Sequence, residues 1–207
     1  MPLTLGWDVS GVVAAVGADV TRFRVGDAVY SRPDIKRNGT YAEYVAIRDD
    51  EVALKPLTIS HIEAASLPLS GITAWEALIT SAQLTPGQRV LIHAGSGGVG
   101  SLAIQLAKSR GAYVIATTSG RNRAFVESLG ADEVIDYQTQ RFTEILRDID
   151  VVFDTLGGDI QESSWSVLKQ GGIRISIVNP PSDEKAKELG VRSAFVFIEP
   201  NASIFEQ

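Results

Sequence analysis

The chain has 207 residues, of which 44% are hydrophobic and 21% are charged, and its formal net charge is −6. This composition is typical of one or two globular domains with a substantial core, and the net negative charge argues against nucleic acid as a partner. The chain contains no cysteine, which excludes disulfides and thiolate metal sites.

The first region, from Trp7 to Pro56, has its apolar residues in short alternating or β-branched runs. These runs are VSGVVAAVG, DAVYS, TYAEYVAI and EVALKP, and glycine-containing turns separate them. The pattern predicts a small antiparallel sheet or barrel. Alternation in the third run would make Tyr41, Glu43 and Tyr44 part of a barrel strand with one face buried.

The second region is helical from about Ser60, and after Pro86-Gly87 its strands alternate with helices. The predicted strands cover RVLIHA, AYVIATT, EVIDY, DVVFD, IRISIV and AFVFI. The predicted helices cover residues 98–109, 121–129, 142–146 and 160–168. Strands that alternate with helices predict a parallel sheet covered by helices on both faces.

The octet HAGSGGVG, residues 93–100, lies at the first strand-to-helix junction of this region. Gly95, Gly97 and Gly100 match the pattern G-x-G-x-x-G, whose glycines permit a tight turn, a close approach of a pyrophosphate and close packing of helix on strand. The amide groups at the start of the helix would then face the anion. The octet therefore predicts a dinucleotide site, and a tight turn without a ligand is the alternative.

The end of the second strand bears on which dinucleotide binds. An NAD site usually has an acidic residue there, about twenty residues beyond the glycine motif. This chain has TTSGRNR instead, in which Ser119 can donate to a phosphate and Arg121 and Arg123 can neutralise its charge. We therefore predict NADPH as the cofactor. The alternative is that both arginines are solvated residues of a first helical turn.

Six segments together resemble the medium-chain dehydrogenase/reductase superfamily, and more narrowly its zinc-independent quinone oxidoreductase branch. They are GWDVSGVVAAVGADVTRFRVGDAVY, YAEYV, AASLPLSGITAWEAL, GQRVLIHAGSGGVGSLAIQLAK, LGADEVIDY and VFDTLGG. The resemblance implies an α/β protein with a Rossmann-type doubly wound parallel sheet plus a partial GroES-like antiparallel β-barrel domain. The barrel domain would cover residues 1–69 and the Rossmann NADP-binding domain residues 70–207.

The resemblance also assigns the cofactor contacts of this chain, residue by residue. It implies that the pyrophosphate is bound by Gly97, Gly98, Val99 and Gly100, with Ser96 beside them, and that the 2′-phosphate is bound by Ser119, Arg121 and Asn122. Tyr137 would contact a neighbouring part of the cofactor. Leu156 and Gly157 would line the adenosine and ribose side, and Thr73 and Val178 would lie at the nicotinamide end. The structural alternatives are that Thr73 helps to start its helix, that Tyr137 only packs its ring and that Leu156 belongs to the core.

Two departures from the superfamily concern metal and length. Zinc-dependent relatives carry Gly-His-Glu where this chain has Gly6-Trp7-Asp8, and an indole cannot coordinate zinc. The structural zinc lobe needs cysteines, and neither His61 nor His93 has ligands at metal spacing, so we predict no metal site and a packing role for His93. The family's barrel begins before PLTLGWDVSG and resumes after the position of Gln207, which implies a barrel domain incomplete at both ends.

We therefore predict an NADPH-dependent oxidoreductase that transfers hydride to a quinone or an α,β-unsaturated carbonyl compound without catalytic zinc. We name no catalytic residue, because in the family a stretch before the start of this sequence supplies much of the substrate pocket. Tyr41, Glu43 and Tyr44 are candidate proton donors by their chemistry only. A non-catalytic NADPH-binding or interaction protein is the alternative, and a zinc alcohol dehydrogenase is a third.

The last predicted strand, AFVFI, is apolar and is expected at a sheet edge. Relatives pair this edge between subunits, so the resemblance implies a homodimer through Phe195–Ile198. The first residues lack the pattern of a signal peptide, and no apolar run approaches the ~20 residues that a bilayer span needs. We therefore expect a cytoplasmic protein with no membrane partner.

Overall fold

The computed structural model describes residues 3–206, and these residues form two compact units. The first unit comprises the residues up to Ile72 together with those from Ile198 onward, and the second is Thr73–Phe197. The domain limits 1–69 and 70–207 stay predictions, and the compact units differ from them at the C-terminus. The reason is a long-range contact, since the rings of Tyr30 and Phe205 lie 4.7 Å apart.

The first unit contains a three-stranded antiparallel sheet in the order β1-β2-β3. The strands are β1 (Val9–Val12), β2 (Ala28–Ser31) and β3 (Val52–Leu54). Helix α1 (His61–Ala65) follows, then helix α2 (Pro68–Trp75), whose last three residues belong to the second unit, and 3-10 turns cover Asp49–Glu51 and Ala202–Glu206. The antiparallel sheet agrees with the prediction for this region.

The predicted strand over TYAEYVAI does not form, since residues 40–47 contain bends and irregular backbone. The amide of Tyr41 donates to the carbonyl of Leu5 at 2.9 Å, and the chain bends directly afterwards. The side chains of Tyr41 and Tyr44 are 79% and 78% exposed, so the expectation of a strand with one buried face, which included Glu43, was wrong. Alternation gives a strand only where a second strand supplies its hydrogen bonds.

The second unit contains a six-stranded sheet in the order β6-β5-β4-β7-β8-β9, in which every neighbouring pair is parallel. The strands are β4 (Arg89–Ile92), β5 (Tyr113–Thr118), β6 (Glu133–Asp136), β7 (Ile149–Asp154), β8 (Leu168–Ser176) and β9 (Arg192–Phe195). This is the doubly wound Rossmann order, and the predicted fold class is confirmed. The order reverses between β4 and β7, where such folds open a crevice beyond the carboxyl ends of the strands.

Five helices connect these strands. They are α3 (Gly98–Ser109), α4 (Arg123–Ser128), α5 (Phe142–Ile145), α6 (Gly158–Ser163) and α7 (Asp183–Leu189), while α2 continues into a π-helical turn over Glu76–Ser81 and 3-10 turns cover Gly120–Asn122 and Ser164–Val167. Helix α3 has the predicted bounds, whereas α7 was not predicted. Across residues 3–206, no helix combines the length and the apolar character that a membrane span requires.

The core of the second unit lies between the sheet and its helices. Leu91, Ile115 and Val152 on three adjacent strands are completely buried. They pack with Ile135, Phe142, Leu146, Ile149 and Val167. Full burial on both faces explains why these strands are continuous apolar runs in the sequence. The packed sheet fixes where its strands end, and those ends position the candidate site.

Candidate cofactor site

The glycine loop joins β4 to α3, and two of its glycines are required by packing. A Cβ at Gly100 would lie 2.3 Å from the carbonyl oxygen of Ala94, and one at Gly95 would lie 2.8 Å from Cβ of Ala116. Helix, loop and strand therefore approach as closely as the motif predicts. Gly97 is the N-cap of α3, and both Gly97 and Gly98 are exposed. The amides of the first helical turn lack intrahelical acceptors, so this end of α3 can receive a pyrophosphate.

His93 anchors the start of this loop as a fully buried, neutral imidazole. Its Nδ1 lies 3.2 Å from Oγ1 of Thr117 and its Nε2 lies 3.0 Å from Oγ of Ser164. The hydroxyl of Ser164 donates to the carbonyl of Ile160 at 2.7 Å, so Ser164 accepts from His93 and the proton lies on Nε2. Burial lowers the pKa of His93 to about 4. His93 is therefore a packed residue with hydrogen-bond partners.

A polar cluster lies where β4 and β5 end. The hydroxyl of Thr118 donates to Oγ of Ser96 at 2.9 Å, and Nδ2 of Asn122 lies 3.1 Å from Ser96 Oγ and 3.3 Å from Ser119 Oγ. The structure thus brings together three predicted residues and one, Thr118, that sequence reasoning missed. The signal for Thr118 was its place as the last residue of an apolar strand. Arg121 is exposed in the adjacent 3-10 turn.

Two other charged side chains near this cluster have their own partners. Arg123 donates to the carbonyl of Val134 at 2.9 Å and lies 3.3 Å from the carboxylate of Glu127. Both arginines of TTSGRNR are exposed, but Arg121 does not make these contacts. Asp136 accepts from the amide of Gln138 at 3.0 Å, and its other carboxylate oxygen would lie 2.6 Å from a Cβ at Gly120. A cofactor phosphate in this region would therefore lie near the guanidinium of Arg121 and the carboxylate of Asp136.

The remaining predicted residues follow the next three strands. Tyr137 comes directly after β6 and is 63% exposed, and Leu156 and Val178 follow β7 and β8 with half-exposed side chains. Gly157 has a φ of 73°, and a Cβ there would lie 2.9 Å from Cγ1 of Val178. The loops after β7 and β8 are therefore in contact with each other.

Every predicted cofactor residue except Thr73 thus lies beyond the carboxyl end of a parallel strand, where doubly wound sheets bind ligands. Thr73 lies on helix α2 and is 7% exposed. The geometry fits a dinucleotide because a helix N-terminus, a polar cluster and two exposed apolar side chains surround one edge of the sheet. Contact of each of these residues with a cofactor stays a prediction.

The donor atoms near Trp7 do not fit a zinc ion. The indole Nε1 of Trp7 is buried without a hydrogen-bond partner, and an N–H of this kind has no lone pair for a metal. The carboxylate of Asp8 accepts from the amide of Leu69 at 2.6 Å, and burial raises the pKa of Asp8. Within residues 3–206, no group of three or more His, Cys, Asp or Glu side chains could hold a metal ion.

Comparisons with known proteins agree with this architecture. Residues 98–203 match the zinc-binding dehydrogenase family, and residues 1–57 match the alcohol dehydrogenase GroES-like domain. The mitochondrial NAD(P)H oxidoreductase of Mus musculus is 40% identical over 86% of this chain, and the 2-methylene-furan-3-one reductase of Solanum lycopersicum is 41% identical over 87%. These stretches are 48% and 49% of the two relatives, so the chain spans about half of their length.

Solved structures show the same fold. The quinone oxidoreductase of Coxiella burnetii superposes with a TM-score of 0.91 at 38% identity, covering 100% of this chain and 66% of that one. The Escherichia coli quinone oxidoreductase, solved in complex with NADPH, gives a TM-score of 0.87 at 28% identity, covering 98% of this chain and 67% of that one. The chain therefore belongs to the zinc-binding dehydrogenase family, within the medium-chain dehydrogenase/reductase superfamily, and it is similar in structure to quinone oxidoreductases of that superfamily.

Proposed function

We propose that the chain carries the cofactor site of an NADPH-dependent oxidoreductase that reduces a quinone or an α,β-unsaturated carbonyl compound. The observation that carries the proposal is the polar cluster of Ser96, Thr118, Ser119 and Asn122 beside the glycine loop, with Arg121 exposed next to it. The relatives support the substrate class, since they include an NADPH-dependent alkenal/one oxidoreductase of Arabidopsis thaliana that is 38% identical.

In this proposal the chain's residues bind and orient, while NADPH supplies the hydride when it is bound. The first turn of α3 holds the pyrophosphate through backbone amides. Arg121 and Ser119 hold the 2′-phosphate, because a guanidinium and a hydroxyl can both donate to it. The exposed apolar side chains of Leu156 and Val178 shield the ribose and nicotinamide side from water.

The test of cofactor choice is a titration with NADPH and with NADH, followed by quenching of the three tryptophans. We expect the unchanged chain to prefer NADPH. In Arg121→Glu the affinity for NADPH should fall about 10- to 100-fold, the range expected for a lost hydrogen bond to a charged group, while NADH binding changes little. Equal affinity of the unchanged chain for both nucleotides would contradict the choice of NADPH.

The matched control is Arg192→Glu, which makes the same charge change at an exposed position on β9. Because β9 begins at Arg192, this residue lies at the amino end of the sheet, away from the strand ends that form the site. Both variants have the same net charge, so a difference between them reports the local contact. Turnover assays with a quinone and an enone then separate an oxidoreductase from a protein that only binds NADPH.

We also propose that the reaction proceeds without zinc, which the donor set around Trp7 and Asp8 supports. Metal analysis of the purified protein is the test. Zinc at one equivalent per chain would contradict the proposal.

A homodimer and a cytoplasmic location are further proposals. β9 lies at one edge of the six-stranded sheet, and Phe195 and Phe197 are 41% and 71% exposed there. An exposed apolar edge favours pairing with a second copy. Light scattering at micromolar concentration tests the dimer, and a monomeric mass would contradict it. Cell fractionation with an antibody tests the location.

A further inference from the structure

The carboxyl ends of β7 and β8 are joined by two buried polar side chains. Asp154 is the last residue of β7 and Ser176 is the last residue of β8, and the two residues are paired in the parallel ladder. Both side chains are completely buried. A buried carboxylate is costly unless hydrogen bonds compensate it, so its bonding partners indicate what it holds in place.

Asp154 holds the loop that follows its own strand. Its Oδ1 accepts from the backbone amides of Leu156 at 3.0 Å and of Gly157 at 2.9 Å. Gly157 has a positive φ, a conformation in which the chain turns sharply into α6. One carboxylate oxygen therefore fixes the backbone of two predicted cofactor residues.

The other carboxylate oxygen controls the neighbouring loop through Ser176. Oδ2 of Asp154 lies 3.0 Å from Oγ of Ser176, and a carboxylate can only accept, so the single hydroxyl hydrogen points to Asp154. The lone pairs of Ser176 are thereby left for the amides of Val178 at 3.2 Å and Asn179 at 3.4 Å. Asp154 thus orients the acceptor that holds the loop after β8.

A second brace joins the same two loops. Nε2 of the buried Gln161, in helix α6, donates to the carbonyl of Asn179 at 2.9 Å. The guanidinium of Arg174, also fully buried, donates to the carbonyl of Gln161. Gly157 and Val178 lie in contact, so a displacement of either loop would be transmitted to the other. Hydrogen bonds and direct contact therefore join the two loops, and Asp154 lies at the centre of this hydrogen-bond network.

We infer that Asp154, acting through Ser176, is the positioning residue that sets the spacing of Leu156, Gly157 and Val178 for the cofactor. This inference rests on the proposed function, because Leu156 and Gly157 are predicted contacts with the adenosine and ribose side and Val178 is a predicted contact with the nicotinamide end. Asp154 touches neither cofactor nor substrate in this role. It places backbone and apolar side chains at the distance that the bound nucleotide needs.

The experiment compares Asp154→Asn and Ser176→Ala with a control from the same strand. The NH2 group of asparagine donates and cannot accept, so Asp154→Asn keeps an acceptor oxygen on only one side of the former carboxylate, and Ser176→Ala removes the link between the loops. The control is Asp150→Asn at the amino end of β7. Asp150 is 8% exposed, accepts from the amide of Arg89 at 2.8 Å and pairs with Lys169.

We expect Asp154→Asn and Ser176→Ala to raise the Kd for NADPH about tenfold, the change expected from one lost hydrogen bond, and Asp150→Asn to leave it within about twofold. Amide hydrogen exchange without cofactor should accelerate at Leu156, Gly157, Val178 and Asn179 in the two site variants alone. Ser176→Thr keeps the hydroxyl and should restore the affinity that Ser176→Ala loses. In the enzyme assay, KM for NADPH should rise more than kcat falls.

Each other outcome is informative. If Asp154→Asn does not fold, Ser176→Ala still tests the positioning role, because it removes a hydrogen bond without changing any charge. Unchanged affinity in Ser176→Ala would overturn the positioning role and leave the proposed function standing, as would an equal loss of affinity in Asp150→Asn. Failure of the unchanged chain to bind either nucleotide would instead overturn the proposed function, and the positioning role with it.

Discussion

The two compact units use their apolar residues in different ways. In the second unit, large side chains such as Leu91, Ile115 and Val152 are completely buried. One buried cluster of the first unit contains a single large residue, Tyr30, together with Ala53, Ala64 and Ala202. The first unit also has an open cavity of about 550 Å³ lined mostly by apolar residues of the segments 11–17 and 43–47.

This difference indicates where each unit obtains its stability. Burying a large apolar side chain contributes roughly 1.5–3 kcal/mol, so the second unit is stabilised mainly by packing. The first unit leaves Leu54 and Leu57 60% and 97% exposed, so turns, caps and backbone pairing contribute a larger share there. Substitutions matched between the units should therefore have unequal effects, and three pairs test this comparison.

The largest effect is expected from alanine at one tightly packed glycine of the second unit, compared with alanine at one open glycine of the first unit. A Cβ at Gly100 would lie 2.3 Å from a carbonyl oxygen, whereas one at Gly11 in β1 meets no atom within 4 Å. Gly100→Ala should lower the free energy of unfolding by about 3 kcal/mol through overpacking, and Gly11→Ala should change it by less than about 1 kcal/mol. Urea unfolding followed by tryptophan fluorescence measures both.

A third glycine of the same loop extends this pair. Gly97→Ala, with a Cβ 3.2 Å from the oxygen of Ala94, should have an intermediate effect on stability. A Gly100→Ala variant as stable as the unchanged chain would show that the glycine loop can relax, and the contrast between the packed and the open unit would then fail at its clearest point.

Sequence reasoning recovered those parts of the second unit whose signals are local. Helix α3 begins and ends as predicted, because a glycine motif marks its start and apolar residues recur at helical spacing from Val99 to Leu106. Helix α7 was missed although Ser182 caps its start and Gly190, with a φ of 66°, ends it. Its sequence, DEKAKEL, is mostly charged and offers little apolar periodicity.

The features that sequence reasoning could not find depend on distant pairing. Asp154 and Ser176 are 22 residues apart, and they meet only because β7 pairs with β8. The contact of Phe205 with Tyr30 joins residues 175 positions apart. Conversely, the alternation over 40–47 predicted a strand that lacks a partner strand. Local patterns gave the elements, and the tertiary pairing decided which of them became strands and which polar groups met.

The second pair uses the chain's two histidines, one in each unit. His93 is buried with its pKa lowered from 6.5 to about 4, so between these values the unfolded state binds more protons than the folded state. The stabilisation from keeping His93 neutral is complete above its unfolded pKa and is lost as the pH falls towards 4. Between pH 7.5 and 5 the loss should be about 2 kcal/mol.

The measurement is urea unfolding across this pH range for the unchanged chain, His93→Gln and His61→Gln. Glutamine does not titrate, so His93→Gln should lose this part of the pH dependence even if it is less stable at every pH. His61 is exposed, with Nδ1 2.7 Å from Oγ of Ser10, and its variant should keep the pH dependence. Identical pH profiles for the three proteins would mean that other groups cause the acid sensitivity.

The smallest effect should appear at two serine N-caps, and here the first unit should respond more. Ser60 and Glu63 form a reciprocal capping box at α1, in which the amide of Glu63 donates to Ser60 Oγ at 3.2 Å and the amide of Ser60 donates to the Glu63 carboxylate at 2.8 Å. Ser182 makes a single bond, from the amide of Lys185 at 3.2 Å. Ser60→Ala should cost about 1–1.5 kcal/mol and Ser182→Ala about 0.5–1 kcal/mol. Thermal unfolding with amide exchange in each helix resolves the two values. A larger loss at Ser182 would indicate that caps matter as much in the packed unit as in the open one.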